Sequence, residues 1–377
     1  MKFNVIMILL DGARVDKAVN APHIGKFFQK SIFFPNAITY APYTLAALHA
    51  VFSGIYGKTN GVDNYFGSHG FKSKMCKTLT QYLKDAGYFT RGDTFSDIFI
   101  PKQGFDNLTI HDESSDDLIE RHKEILRELN KVGENFFLFL HYSKIHANSV
   151  RDVAKKYDDL DKDFFKDISA NSKRYETYLE AADLYFSQIF GECKRLGIVD
   201  NTLIILMADH GVSVGEKFGE KMYGVYCYDY TLKAFVSFYC PSLFKQPNLI
   251  KNQVRSIDIM PTILDFLEIE EELGYLKIEG ETLLPLLKNG EEDKERIGYA
   301  ETGGLGGPNP SPKIPNVKCI RTNKWKLIYN STTKLKELYN LEQDPKEEKN
   351  LIDENLEMGA KLWGLLVSEM GKEEVNK

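Results

Sequence analysis

The sequence predicts an α/β fold in which a mostly parallel mixed sheet lies between layers of helices. Four short runs are almost wholly apolar, which is typical of strands buried on both faces. These runs span residues 3–10, 135–140, 202–207 and 234–239. Helical patterns lie between or beyond them, at residues 74–86, 115–131, 172–196 and 258–268. Because alternating strands and helices form a sheet that is covered on both faces, we predict this fold class.

The last quarter of the chain has a different pattern. A Gly/Pro-rich loop covers residues 303–316, and two short strands then flank Asn323 and Lys324, which is typical of a hairpin. The two strands, a third strand and a terminal helix are predicted at residues 317–322, 325–329, 337–341 and 354–370. We therefore predict a large domain over residues 1–310 and a small C-terminal antiparallel β and helix subdomain over residues 311–377.

Composition excludes several classes of protein. The net charge of −6 provides no basic surface for nucleic acid or anionic membranes. The five cysteines lack CxxC spacing, which favours buried thiols in a reducing compartment. The apolar run that ends at Asp11 is too short for a secretory signal, and no run approaches the ~18 apolar residues of a membrane span. We expect a cytoplasmic protein with no membrane span and no nucleic-acid partner. Its oligomeric state is left open.

Polar residues follow two of the apolar runs. Asp11 comes directly after the first run, and Asp209 and His210 follow the third. In doubly wound sheets, ligands bind beyond the carboxyl ends of the strands, so these side chains can converge there. Two carboxylates and one imidazole are a set of ligands for a divalent ion. Taken alone, Asp11 fits a turn or helix cap before Gly12 equally well, and His210 fits a buried core histidine.

Residues 41–54 predict a loop that becomes a helix, with Thr44 at the helix start and Gly54 closing it. This segment resembles the nucleophile segment of the sulfatase and alkaline phosphatase superfamily, in which Cys or Ser stands ten residues before the glycine. Thr44 has that position here. Five further segments resemble motifs of the superfamily in its own order. They are residues 10–16, 77–88, 200–211, 256–265 and the C-terminal hairpin, 325–345.

The resemblance implies a catalytic domain with Thr44 as nucleophile. Sulfatases of the superfamily convert Cys or Ser to formylglycine, whereas threonine is not expected to mature in this way. Thr44 therefore resembles the nucleophile of the phosphodiesterase and phospho-group transferase branches. The implied metal ligands are Asp11, Asp209, His210 and the Thr44 oxygen. Such a set suits Zn²⁺ or Mn²⁺, with Mg²⁺ or Ca²⁺ as alternatives.

The resemblance also indicates one ion rather than two. Gly12 stands where many sulfatases have a second Asp, and no histidine follows His210. The further histidines that dinuclear phosphodiesterases of the superfamily use are therefore missing. The pattern is similar to that of the mononuclear phosphoglycerol and phosphoethanolamine transferases.

Other positions are implied to contact the substrate. Residues 140–146 resemble the motif L-H-Y-x-D-P-H, so His146 is predicted to donate a proton or bind the substrate, and His141 either binds substrate or orients the strand end. Leu48 stands where the family has an arginine, with His49 beside it. The family's downstream lysine or histidine aligns near Tyr223, two residues from Lys221. Lys221 fits a phosphate ligand or a solvated surface lysine, and His49 fits a substrate ligand or a buried helix residue.

These features favour a metal-dependent phosphoester hydrolase or phospho-group transferase. A phosphodiester or phosphonate monoester from a small molecule, a glycan or a lipid is the expected substrate class. One alternative is a sulfuric-ester hydrolase that does not depend on formylglycine. A second alternative, of another class, is an inactive binding protein on a sulfatase-like scaffold. Retention of Thr44, Asp11, Asp209 and His210 opposes it, because a dead site has no need to keep four ligands.

Overall fold

The computed structural model describes residues 3–65, 69–303, 306–310 and 314–370, and it confirms the predicted fold class. Within these residues the large sheet has nine strands, in the order β4-β3-β5-β1-β6-β7-β2-β8, with β9 also pairing with β2. The strands are β1 (Asn4–Leu10), β2 (Ile32–Ile38), β3 (Phe89–Thr94), β4 (Asn107–Ile110), β5 (Phe136–Tyr142), β6 (Thr202–Met207), β7 (Lys233–Tyr239), β8 (Asn248–Leu249) and β9 (Val254–Arg255). Pairing is parallel throughout, except that β7 is antiparallel to both β6 and β2.

Strand β1 occupies the centre of the sheet and pairs in parallel with β5 and β6. Leu10 lies beside Tyr142, and Leu9 lies beside Met207. The three strands therefore end at the same edge of the sheet. This alignment brings the residues that follow β1 and β6 together, as the sequence predicted.

Helices cover both faces of this sheet. Alternate residues of β1 enter different cores: Ile6 and Ile8 pack into one, and Val5 and Met7 pack into the other. The helices are α1 (Val15–Ala18), α2 (Ile24–Phe28), α3 (Thr44–Ser53), α4 (Gly57–Asn60), α5 (Leu79–Asp85), α6 (Leu118–Val132), α7 (Lys144–Ser149), α8 (Lys162–Lys166), α9 (Ile168–Arg195), α10 (Asp229–Leu232), α11 (Ile259–Phe266) and α12 (Leu284–Asn289). A strand buried on both faces needs apolar residues at every position, which explains the continuous apolar runs.

A second sheet has four antiparallel strands, followed by a terminal helix. Its elements are β10 (Gly298–Thr302), β11 (Val317–Arg321), β12 (Trp325–Asn330), β13 (Leu335–Asn340) and α13 (Leu356–Met370). The predicted hairpin, third strand and helix are confirmed. The sheet also contains β10, which comes before the predicted boundary at residue 310. That boundary stays a prediction.

Buried ion pairs join the second sheet to the large domain. The Lys326 ammonium group lies 2.9 Å from Asp229 and 2.8 Å from Glu347, and Arg321 lies 2.7 Å from Asp229. Burial acts against the positive charge of Lys326, but the two carboxylates outweigh it and raise its pKa. Losing one partner of such a buried set leaves an unpaired charge, so we expect this contact to fix the position of the second sheet.

In the described part of the chain, no helix is both long and apolar enough to cross a membrane. The five cysteines are buried free thiols.

Candidate active site

Asp11 begins the site directly after β1. Its backbone N–H donates to the Tyr142 carbonyl at 3.1 Å, which extends the β1–β5 pairing by one residue. Gly12 then turns the chain with φ +75°, a conformation that favours glycine. A Cβ atom at Gly12 would also meet the Val212 side chain at 2.9 Å. The Asp-Gly pair thus stops the strand and leaves the Asp11 carboxylate at the sheet edge.

Asp209 follows β6 and is fixed by backbone groups. Its Oδ1 atom accepts hydrogen bonds from the N–H groups of Gly12, at 3.1 Å, and His210, at 3.0 Å. Its Oδ2 atom is buried and has no hydrogen-bond partner. One carboxylate oxygen therefore holds the loop together, while the other is free to bind a ligand.

His210 presents a single nitrogen to the same point. Its Nδ1–H donates to the Gly211 carbonyl at 2.8 Å, because a carbonyl oxygen can only accept. The Nε2 atom therefore carries a lone pair. This atom lies 3.7 Å from Asp11 Oδ1 and 3.5 Å from Asp209 Oδ2.

Thr44 is the first residue of α3, as predicted, and Gly54 ends that helix with φ +65°. The capping position before the helix is taken by Tyr43, so Thr44 is not the cap residue. The Thr44 hydroxyl makes no capping hydrogen bond. Its Oγ1 atom lies instead 3.2 Å from His210 Nε2 and 3.4 Å from Asp11 Oδ2. The start of α3 thus places the Thr44 hydroxyl beside Asp11 and His210.

The geometry fits a divalent ion. Asp11, Asp209 and His210 each offer one ligand atom, and these three atoms lie within 4.8 Å of one another. Asp11 Oδ1 and Asp209 Oδ2 are both buried without a hydrogen-bond partner, although buried carboxylate oxygens are normally satisfied. Ligands at 2.0–2.2 Å from a tetrahedral ion are about 3.3–3.6 Å apart, close to the His210 distances above. The predicted ligands Asp11, Asp209, His210 and Thr44 are therefore brought together. Their binding of a metal stays a prediction.

Electrostatics supports the same interpretation. Burial raises the pKa of Asp209, and the nearby charge of Asp11 raises it further. Burial also acts to raise the pKa of Asp11, but the hydrogen bond with His141 and the surrounding histidines outweigh it and lower the pKa to about 2. Two buried carboxylates this close repel each other, and a bound cation would relieve that repulsion.

His141 lies near the end of β5 and contacts Asp11. Its Nε2 atom is 3.0 Å from Asp11 Oδ2, and its Nδ1 atom is 2.9 Å from the Thr94 hydroxyl. The ring is fully buried. These contacts hold the ring between Asp11 and Thr94, and both predicted roles, orienting the strand end and binding substrate, stay predictions.

His146 lies on α7, near the same edge of the sheet. Its ring stacks on Phe95 with 5.3 Å between ring centroids, and its Nδ1 atom is 2.8 Å from the Tyr223 hydroxyl. Tyr223 also packs on His210, with 4.5 Å between centroids. His146 is therefore linked to the predicted metal ligands through Tyr223.

Lys221 and His49 are engaged elsewhere. The Lys221 ammonium group lies 2.5 Å from the Tyr157 carbonyl and 3.0 Å from Asp159. His49 Nδ1–H donates to the Leu45 carbonyl at 2.8 Å, and burial lowers the pKa of His49 to about 4. Their predicted contacts with substrate are not tested by these positions and stay predictions.

Sequence reasoning missed a second buried group of potential ligands, Asp93, His111 and His122. His111 Nδ1 lies 2.6 Å and His122 Nε2 lies 3.0 Å from Asp93 Oδ1, while Arg121 donates to Asp93 Oδ2 at 2.9 Å. The remaining ring nitrogens contact Ser143, at 2.9 Å, and Tyr185, at 2.6 Å. Because every group has a partner at hydrogen-bond distance, this cluster is a hydrogen-bond network rather than a metal site. No sequence motif marks it, since its members come from separate elements.

Comparison with known families identifies the chain. The family model described as Sulfatase matches residues 4–269, and that described as N-sulphoglucosamine sulphohydrolase, C-terminal, matches residues 224–371. The chain belongs to the sulfatase family. Members of this family are hydrolases that bind a divalent metal ion, and the cluster of Asp11, Asp209 and His210 is the candidate position for that ion.

Individual relatives are distant in sequence. An ulvan-active sulfatase of Formosa agariphila is 23% identical over 407 residues, covering 93% of this chain and 76% of its own. The phosphonate monoester hydrolase of Agrobacterium radiobacter superposes with a TM-score of 0.78 at 15% identity, covering 98% of this chain and 95% of its own. A protein solved with its substrate D-glucosamine-2-N,6-O-disulfate has a TM-score of 0.75 at 17% identity, covering 98% and 97%. At these identities the structural likeness establishes the fold.

Proposed function

We propose that this sulfatase-family protein is a metal-dependent phosphoester hydrolase or phospho-group transferase that uses Thr44 as its nucleophile. The observation that carries this proposal is the Thr44 hydroxyl at 3.2 Å from His210 Nε2, at the start of α3 and without a capping role. A phosphodiester or phosphonate monoester is the proposed substrate class. The phosphonate monoester hydrolase among the structural neighbours has the same fold and is compatible with this class.

The residues divide the chemistry as follows. Asp11, Asp209, His210 and Thr44 would hold one divalent ion, which would lower the pKa of the Thr44 hydroxyl and withdraw electron density from the substrate oxygen. The Thr44 oxygen, having released its proton to solvent, forms a bond to phosphorus while the bond to the leaving oxygen breaks. His146 supplies a proton to the leaving oxygen. Water or an acceptor alcohol then displaces Thr44 from phosphorus.

A second candidate is a sulfuric-ester hydrolase that works without formylglycine. The family match and the sulfatases among the relatives favour it. The relative that was solved with a disulfated glucosamine makes a glycan-derived ester a reasonable substrate for either chemistry. Thr44 opposes only a sulfatase that depends on formylglycine, because threonine lacks the primary hydroxyl or thiol from which the aldehyde forms.

An inactive scaffold is the third candidate, and the site geometry gives it little support. Asp11 Oδ1 and Asp209 Oδ2 remain buried without partners, which is costly unless a ligand satisfies them. A protein that had lost its chemistry would be free to replace either carboxylate. A cytoplasmic location is compatible with the free thiols and stays a prediction.

Rates on a matched panel of substrates test the proposal. Aryl phosphodiesters, phosphonate monoesters, phosphomonoesters and sulfates that share one phenol would be assayed with Mn²⁺, Zn²⁺, Mg²⁺ and Ca²⁺ in turn. We expect the phosphodiester or phosphonate to be turned over fastest with Zn²⁺ or Mn²⁺. Asp209→Ala, purified in parallel, controls for contaminating hydrolases.

Sulfate preferred by tenfold or more, which corresponds to about 1.4 kcal/mol in transition-state free energy, would favour the sulfuric-ester hydrolase instead. Metal binding with no turnover of any ester would favour the inactive scaffold.

A further inference from the structure

Tyr223 lies between the predicted metal ligand His210 and the predicted proton donor His146. Its ring packs on His210, with 4.5 Å between centroids, and its hydroxyl lies 2.8 Å from His146 Nδ1. The ordinary pKa of a phenol is near 10, so the Tyr223 hydroxyl is neutral at neutral pH. A neutral side chain therefore stands near the position at which the resemblance implies a lysine or histidine.

The contacts of this hydroxyl determine which histidine nitrogen faces the substrate. A histidine that is about to donate a proton carries N–H on both ring nitrogens, whereas a phenol oxygen has lone pairs with which to accept. At 2.8 Å, the Nδ1–H of that protonated His146 donates to the Tyr223 oxygen. The Nδ1 atom is then engaged, and Nε2 is left to exchange a proton with the substrate.

The surroundings hold this arrangement in place. Phe95 stacks on the His146 ring at 5.3 Å. The buried Glu220 carboxylate accepts hydrogen bonds from the backbone N–H groups of Val225, at 2.7 Å, and Tyr226, at 3.0 Å. These contacts fix the loop that carries Tyr223.

We propose that Tyr223 is a positioning residue that holds His146 by its Nδ1–H, so that Nε2 protonates the leaving group. This inference rests on the proposed role of His146 as proton donor. In the first step, the Thr44 oxygen, which has already released its proton to solvent, bonds to the transferred group, the bond to the leaving oxygen breaks, and that oxygen takes the Nε2 proton. In the second step, water gives a proton to Nε2 and attacks, and the bond to Thr44 breaks. Nδ1–H stays on Tyr223 throughout.

Leaving-group dependence separates positioning from a merely structural role. His146→Ala, Tyr223→Phe and the double variant would be assayed, Zn²⁺-loaded, with esters of 4-nitrophenol and of phenol. Phenol is the poorer leaving group, so its departure depends more strongly on proton donation. We expect Tyr223→Phe to slow the phenyl ester at least tenfold and the 4-nitrophenyl ester less than threefold. We expect the double variant to match His146→Ala, because both changes act on the same proton donor, the His146 ring.

Tyr226→Phe is the matched control. It removes a hydroxyl from the same loop, one that donates to the Phe218 carbonyl at 3.0 Å. We expect it to leave both rates unchanged. Equal slowing of both esters by Tyr223→Phe, or additive losses in the double variant, would overturn the proposal.

The same series can be run with aryl sulfates, so a preference for sulfate would refute the proposed substrate class and leave this inference open to the same test. NMR tests the inference without turnover, and so also applies if the protein hydrolyses none of these esters. In ¹⁵N-histidine NMR spectra of the Zn²⁺-loaded protein, neutral His146 should carry its proton on Nδ1, and Tyr223→Phe should remove that preference. His146→Gln assigns the signal. An Nε2–H tautomer, or a spectrum that Tyr223→Phe leaves unchanged, would also overturn the proposal.

Discussion

Asp209→Asn should change the free energy of unfolding in opposite directions with and without metal. Asparagine keeps the Oδ1 atom that accepts from the Gly12 and His210 N–H groups, so the loop contacts survive. What changes is the charge beside Asp11. In metal-free protein the variant loses a repulsion between two buried carboxylates, whereas in metal-loaded protein it loses an ion ligand.

The magnitude follows from the distance. The ligand oxygens of Asp11 and Asp209 lie within 4.8 Å of each other. Two unit charges at that separation repel by roughly 3.5 kcal/mol at an effective dielectric constant of about 20. Because the raised pKa of Asp209 already relieves part of this repulsion, we expect the variant to be about 1–3 kcal/mol more stable in EDTA. With metal at 1,000 times its Kd, wild type gains about 4 kcal/mol that the variant largely lacks.

Urea unfolding in EDTA and in saturating Zn²⁺ measures both values. Asp93→Asn is the matched control, because Asp93 is a buried carboxylate of the hydrogen-bond network and not of the predicted metal site. We expect Asp93→Asn to have a lower free energy of unfolding than wild type, by the same amount in EDTA and in Zn²⁺. If Asp209→Asn is less stable than wild type in EDTA, or gains as much stability from Zn²⁺ as wild type does, the metal site has been misassigned.

The remaining predictions concern metal content, the nucleophile and pH. Elemental analysis should find about one Zn or Mn per chain, retained by Asp93→Asn and lost in Asp209→Ala; two tightly bound equivalents would contradict a mononuclear site. Thr44→Ser should stay partly active, whereas Thr44→Ala should lose several orders of magnitude in rate with little change in Tm. Burial raises the pKa of Glu220 to about 7, so the folded state binds more protons than the unfolded state between its ordinary pKa and 7, and stability falls as pH rises through that window. Relative to Glu220→Gln, wild type should therefore lose roughly 2.5 kcal/mol between pH 5 and 8, measured by urea unfolding; parallel pH profiles would refute this assignment.

Some elements were predictable because their residues carry the signal locally. Strands β1, β5 and β6 are buried on both faces, so their sequences are continuously apolar and stand out. Strand β2 was missed because Pro35 and Asn36 interrupt it at a register shift. Strand β3 was missed because Arg91 and Asp93 lie within it, and their partners are distant in sequence. Tertiary ion pairs can satisfy charges inside a strand, but a strand pattern does not reveal them.

The candidate site was likewise predictable only in part. Asp11, Asp209 and His210 were predictable because the ends of adjacent parallel strands meet at one edge. The resemblance indicated that the segment around Tyr223 reaches the site and made Lys221 the candidate, whereas the contact of Tyr223 with His146 depends on how the loop after β6 folds over α7. Lys221 is two residues away, yet it contacts Asp159. Spacing in sequence indicates which segment reaches the site and does not determine which side chain faces it.

Covalent modification of Thr44 during turnover tests the central claim most directly. Zn²⁺-loaded protein would be mixed with the best phosphodiester or phosphonate substrate, quenched in acid within milliseconds and analysed by peptide mass spectrometry. We predict unmodified threonine before mixing and, during turnover, an adduct of the transferred phosphorus group on the peptide that carries Thr44, absent in Thr44→Ala. Full turnover by Thr44→Ala, with no adduct on wild type, would mean that water attacks directly and that Thr44 is not the nucleophile.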